Sequence, residues 1–446
     1  MYYLILLIAV VALVGCTAKK NAKTATKSMP HLEWTRNAVI YEVNLRQYTI
    51  KGTLKAFEEQ LPQLKELGVD ILWFMPVYPI SDLNRKGTLG SYYAVKNYKD
   101  INPEYGTLTD FKQMVEKAHK LGFKIILDWV ANHTGCDNVW VKEHPDWYLK
   151  DSLGKFIAPF DWTDVYKLDY SKKEMRAAML DALKFWVKEY DVDGFRCDVA
   201  FQVPTDFWEN VRSELDAIKP VFMLAEAETP ELTRKAFDMD YDWKLHALMN
   251  KIAKGEKNAR DIDLYLAEMD TLYTPDVYKM EFVTNHDENT WNGSEYERMG
   301  DGAKTFAVLT YTLKGMPLIY TGQEVGMKKR LSFFEKDTVP FWKKNETFAF
   351  YQKMNALKHS QLALAAGDKG GKLIRYQTES LKAFIYERNL SSSSRVLVYL
   401  NLSSKSVQLK FKDKAPNGEY TDYFKGRKIS LPTSLGAWEY KIFIKE

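Results

Sequence analysis

Three acidic residues, Asp198, Glu226 and Asp287, each end an apolar, strand-like run. The runs are Val192-Asp193-Gly194-Phe195-Arg196-Cys197-Asp198, Val221-Phe222-Met223-Leu224-Ala225-Glu226 and Phe282-Val283-Thr284-Asn285-His286-Asp287. Carboxyls brought together from separate strands are what glycosidic bond cleavage requires. One attacks or shields the anomeric carbon, a protonated one donates to the leaving oxygen, and negative charge steadies an oxocarbenium-like transition state. Arg196 precedes Asp198 by two residues, so with a side-chain period of two both face the same way and the guanidinium can hold the carboxylate ionised. Glu228 shares the face of Glu226, and only the apolar run ending at Ala225 favours Glu226. Asp128 also ends an apolar run, where a cap or ion-pair role weighs as much as a chemical one.

Side chains from different strands converge on one pocket when the strands close into a barrel, with chemistry at their C-terminal ends. Strand and helix signals alternate here as successive βα units require. Strands are expected at residues 38–44, 69–74, 124–128, 193–198, 221–226, 236–241, 280–285 and 317–321, the sixth having the weakest pattern. Amphipathic helices are expected at 54–67, closed by Gly68, at 111–121, closed by Gly122, and at 173–189, 205–218 and 347–360. Eight strands in this order predict a (β/α)8 TIM barrel formed from residues 31–131 and 173–365. Residues 132–172, after strand three, lose periodicity and read as a short domain B excursion, a length of loop that is usually functional. From 366 to 446 short alternating runs separated by turn residues predict a C-terminal antiparallel β-sandwich.

Of 63 Lys and Arg, four (Lys19, Lys20, Lys23 and Lys27) lie ahead of the predicted fold, leaving 59 to balance 59 Asp and Glu. A neutral globular part argues against nucleic-acid binding. Residues 1–15 are uncharged and almost wholly apolar, a signal-peptide core too short for an ordinary membrane span. Leu13-Val14-Gly15-Cys16 resembles the bacterial lipoprotein box, although no Lys or Arg precedes the run. That resemblance implies lipidation of Cys16, a tether over 16–30, and a folded part anchored to the membrane outside the cytoplasm, in the cell envelope. Cys136 and Cys197 could form a disulfide or remain buried thiols, and no Cys/His metal spacing is present.

The motifs are similar to those of glycoside hydrolase family 13, the α-amylase family. Asp128-Trp129-Val130-Ala131-Asn132-His133 resembles its first motif, Gly194-Phe195-Arg196-Cys197-Asp198 its second, and the run ending Asn285-His286-Asp287 its fourth. The segments 68–80 and 315–326 resemble those at strands two and eight. The resemblance implies that Asp198 is the nucleophile, Glu226 the general acid/base and Asp287 the transition-state stabiliser. It further implies that His133, Arg196 and His286 bind the sugar being cleaved and that Tyr93, in competition with Tyr92 and Tyr98, is a stacking platform. The expected substrate is an α-1,4-linked glucan such as starch, glycogen or a maltooligosaccharide. Alternatives are a 4-α-glucanotransferase, an α-1,6-active member, or a non-catalytic glycan-binding lipoprotein. Two departures concern calcium and the acceptor side. Phe201 and Gln202 stand where many members have a Lys-His pair, and Lys167 stands where a calcium-binding Asp is common. No cofactor and no structural metal are therefore expected.

Overall fold

The computed structural model describes residues 31–340 and 342–445. The apolar run, Cys16 and the tether lie outside these residues. Eight parallel strands close into a barrel in chain order: Ile40–Val43, Ile71–Phe74, Lys124–Trp129, Gly194–Cys197, Phe222–Ala225, Met239–Tyr241, Tyr278–Glu281 and Met316–Tyr320. The first strand pairs with both the second and the eighth, with Ile40 opposite Ile71 on one side and Leu318 on the other. These are the first to eighth barrel strands below.

Alternation decides what each face meets. Ile40, Ile71, Trp73, Ile126, Leu224, Met239, Tyr241, Met280 and Leu318 fill the barrel interior. The intervening residues, among them Val39, Tyr41, Leu72, Phe74 and Ile125, join a larger core beneath the helices. The sixth strand, the faintest in sequence, is three residues long and follows a single helical turn at Leu232–Arg234.

Three expected elements differ in detail, and the largest shift is in the seventh strand, expected over 280–285 but formed by Tyr278–Glu281, so that Asn285, His286 and Asp287 lie beyond its end. The helix expected over 54–67 is two helices, Leu54–Glu58 and Leu61–Leu67, with Pro62 in the first turn of the second. Proline has no N–H to donate and its ring crowds the carbonyl four residues back, so a continuous helix would be broken there. The helix expected to begin at 111 starts at Leu108, because Thr107 and Asp110 form a reciprocal capping box.

The excursion carries more order than its aperiodic sequence shows. His133–Gly135 pairs antiparallel with Val165–Lys167, and a short helix spans Val139–Glu143. Strands of three residues are too short to display a period, and Trp140, Trp147, Tyr148 and Phe156 hold this region by ring contacts. Cys136 and Cys197 are both buried free thiols.

After the helix Glu346–Ser360, the C-terminal region forms a six-stranded antiparallel sheet. Its long members are Ala383–Ser391, Ser394–Asn401 and Tyr440–Lys445. One face, with Phe384, Tyr386, Val396, Val398 and Ile442, joins the barrel's outer core. The other, with Ile385, Leu397, Tyr399 and Phe443, is covered by the two-stranded ladder of Val407–Gln408 and Ser434–Leu435. The second layer of the sandwich is thus much smaller than the first. The buried Arg388 ties sheet to barrel by donating to the carbonyls of Leu313, Ala365 and Gly371.

Candidate active site

Arg196 is the inward residue near the end of the fourth strand, level with Asp128 on the third and Leu224 on the fifth. Its guanidinium is wholly buried, where an unpaired charge would be prohibitive. Nη1 donates to Asp128 Oδ1 at 2.9 Å and to Asp198 Oδ1 at 3.0 Å, and Nε donates to the Tyr241 hydroxyl at 3.0 Å. Nη2 lies 2.9 Å from Glu226 Oε2, a charge contact without hydrogen-bond alignment. One cation therefore faces three carboxyls from the ends of three strands.

A second chain of groups crosses the floor. His286 Nδ1 is 2.5 Å from Glu42 Oε1, and its Nε2 is 2.7 Å from the Tyr93 hydroxyl and 3.3 Å from Asp287 Oδ2. Burial favours the neutral imidazole, but the carboxylates of Asp287 and Glu42 outweigh it and push His286 up to about 9. The protonated ring donates to Glu42 and to the Tyr93 oxygen, and Tyr93 in turn donates to Asp128 Oδ2 at 3.1 Å. Trp73 Nε1 reaches the same Asp128 oxygen at 3.2 Å. Asp128 is thus a member of this network and not a helix cap.

Burial raises the remaining carboxyls. Asp198 is pushed up to about 6, with Arg196 pulling the other way and Asp128 and Asp287 adding to the rise. Glu226 is pushed up to about 7 by burial, against Arg196 and with Asp198 and Asp287. A proton held near neutral pH therefore resides preferentially on Glu226. Glu226 Oε2 also accepts from the Val199 N–H at 2.7 Å. Val199, β-branched, is in the left-handed region at φ 36°, a strained backbone beside the reactive groups. Glu228 is turned away and accepts from the N–H of Lys244, at the start of the helix Trp243–Ala253.

These residues open onto a cavity of about 430 Å³ whose lining includes Tyr93, His133, Asp198, Glu226, His286 and Asp287. That is within the size range of sites that enclose a small ligand. His133 Nε2 is buried without a partner in the protein, and burial together with Lys167 lowers the ring to about 3, so it is neutral. Tyr92 and Tyr98 do not compete for the cavity. The Tyr92 hydroxyl donates to Asn44 beneath the Arg46 guanidinium, and Tyr98 donates to the carbonyls of Val130 and His133.

All seven residues expected at the site are brought together here. Glu42, Trp73 and Tyr241 were not singled out, although parity would have found them. Each lies two residues after an inward apolar residue, Ile40, Ile71 or Met239. The rim aromatics Trp162, Trp291, Phe333 and Phe334 had no such signal, since they lie beyond the strands.

The position of the family's calcium site presents an ammonium. Lys167 Nζ donates to Gln202 Oε1 at 3.4 Å, so the two departures noted in sequence meet each other. Among the described residues, no group of three or more His, Cys, Asp or Glu could hold a metal ion. This donor set does not fit calcium, which prefers several carboxylates.

The family description "Alpha amylase, catalytic domain" matches residues 20–167 and 141–369. The chain belongs to the α-amylase family. Two solved structures resemble it over most of their length. One is an α-amylase from Lactobacillus plantarum, 31% identical with TM-score 0.83, covering 92% of this chain and 99% of that one. The other is a "noncanonic maltogenic alpha-amylase" from Thermotoga neapolitana, 31% identical with TM-score 0.83, covering 91% and 98%. Among curated relatives, Alpha-amylase MalA of Haloarcula japonica is 27% identical over 83% of this chain. The chain spans 56% of that relative's length.

Proposed function

We propose that this α-amylase family member is a retaining hydrolase of α-1,4-linked glucans. The observation that carries the reading is the placement of Asp198 and Glu226 on one guanidinium, from Nη1 and Nη2 of Arg196. Carboxyls so held are close neighbours. Retaining pairs sit about 5–5.5 Å apart, whereas inverting pairs leave ~6.5–9.5 Å for a water.

In the first step Asp198 attacks the anomeric carbon while protonated Glu226 gives its proton to the glycosidic oxygen, releasing the leaving chain with a free hydroxyl. Deprotonated Glu226 then takes a proton from water, whose oxygen displaces Asp198 from the glycosyl ester. Asp287 and the unpartnered Nε2 of His133 would bind hydroxyls of the ring under attack, His286 holds Tyr93 beside them, and Arg196 favours the ionised form of Asp198 against its burial.

The test is hydrolysis of maltoheptaose followed by proton NMR and product chromatography. The α-anomer should form first. An initial β-anomer would reject double displacement, products longer than the substrate would indicate glucan transfer, and no products would leave a non-catalytic glycan binder.

A further inference from the structure

We propose that an aromatic wall of Trp291, Phe333 and Phe334, pinned to the loop after the second strand by Glu335, ends the donor side of the cavity, so that a glucan enters by its non-reducing end and loses a mono- or disaccharide. The inference deepens the hydrolase reading and rests on it.

The wall stands across the barrel from the acid. Glu226 follows the fifth strand, whereas the wall is carried by loops after the seventh and eighth strands and pinned to the loop after the second, and the second and eighth strands are the two that flank the first, on the far side of the ring from the fifth. The leaving chain must lie on the side of the group that protonates its oxygen, so the wall bounds the opposite, donor side. Phe333 is nearly parallel to Tyr93, at 8° and 6.2 Å between centroids, and Trp291 continues the surface at 5.3 Å from Phe333. The same three rings line a separate cleft on their far side together with Gly87, Arg330 and Glu335, so they form a partition rather than an open groove.

Two layers of contacts hold the partition in place. Above, the Glu335 carboxylate accepts from the Thr88 N–H at 2.9 Å and from the Thr88 hydroxyl, while Leu89 N–H donates to the Phe334 carbonyl at 3.0 Å. The main chains meet so closely at Gly87, φ 64°, that a Cβ there would be 2.6 Å from both Phe334 Cβ and Glu335 Oε1. Below, the buried Arg46 donates to the carbonyls of Gly90, Phe333 and Leu89 at 3.0–3.2 Å. On the other flank, Lys86 joins the same loop to the excursion through Asp164 at 3.0 Å. A loop tied to both neighbours leaves no slot through which a glucan could continue beyond the one or two rings that the donor side holds.

The experiment compares maltoheptaose with maltoheptaose whose non-reducing end carries a 4,6-ethylidene block, for the wild type and for Glu335→Ala, Thr88→Val and Phe334→Ala. The wild type should release glucose or maltose from the free substrate and cleave the blocked one at least about tenfold more slowly, a difference of about 1.4 kcal/mol. Opening the wall in Phe334→Ala, or freeing it in Glu335→Ala, should restore cleavage of the blocked chain with longer products. Thr88→Val removes one bond of the clasp and should do so to a smaller degree, serving also where the Glu335 variant does not fold. Equal wild-type rates on free and blocked chains, with internal cleavage products, would overturn the wall while sparing the hydrolase reading. Absence of cleavage of either substrate would overturn both.

Discussion

Floor and rim of the cavity present a contrast in how position is fixed. Arg196, Asp128 and Glu42 project from barrel strands and are wholly buried, whereas Trp291 is 52% exposed. At the floor, a shift of one residue in any strand would turn a charged group out of the barrel, so register alone sets the geometry. At the rim, loops remote in sequence hold one another through a few contacts such as Lys86 with Asp164 and Glu335 with Thr88. The floor is thus a property of the fold, and the rim a property of a few side chains. On the proposed reading, chemistry belongs to the first and chain-length preference to the second.

The sharpest way to break this division is at the floor. Asp198→Asn should lower turnover by roughly 10³-fold or more, about 4 kcal/mol in the barrier, with an unchanged circular dichroism spectrum. A residual activity above about a tenth, or ~1.4 kcal/mol, would remove Asp198 from the chemistry. Next in size, Glu226→Gln should lose starch hydrolysis yet turn over α-glucosyl fluoride, whose leaving group needs little protonation. Glu228→Gln, which alters only the contact to Lys244, should leave both activities near wild type.

A smaller effect follows from protonation. Asp198 must be ionised and Glu226 protonated, and their burial places them near about 6 and about 7. Activity should therefore rise as pH passes through about 6 and fall as it passes through about 7, giving a narrow bell in kcat/KM. In Glu226→Gln, assayed with the fluoride, the alkaline limb should disappear and the acid limb remain. The smallest expected effect tests the excursion. Exhaustive EGTA treatment should leave the melting temperature unchanged if Lys167, bonded to Gln202, stands in place of a calcium ligand as the family resemblance implies. A calcium site filled at 100 times its Kd would contribute about 2.7 kcal/mol, so its removal would be plain in thermal unfolding.

The same division governs what the sequence made legible. Period-two alternation located the barrel strands and the inward positions of Arg196 and Asp198, because a closed sheet imposes one rule on every strand. Glu42 was available to that rule as the one charged residue in the first strand, Ile40–Val43. The break at Pro62 and the capping box at Thr107 are equally local in cause and could be read from composition. By contrast, the Glu335 clasp joins residues 247 positions apart, and nothing near either one marks the other. The slender second layer of the C-terminal sheet escaped for a related reason. Pairs of two-residue strands such as Val407–Gln408 and Ser434–Leu435 carry no pattern, only a partner.

The bond between Glu42 and His286 spans 244 positions, and the barrel closes only when Leu318 comes beside Ile40. Contacts of such sequence separation form late and slowly, since much chain entropy must be lost before they are rewarded. A chain emerging from its N-terminus thus holds Asp198 and Glu226 well before the eighth strand arrives to complete the ring. Until then His286 has only the adjacent Asp287 and not Glu42 as a carboxylate neighbour. The floor of the cavity is complete only when the seam between the first strand and the last is closed.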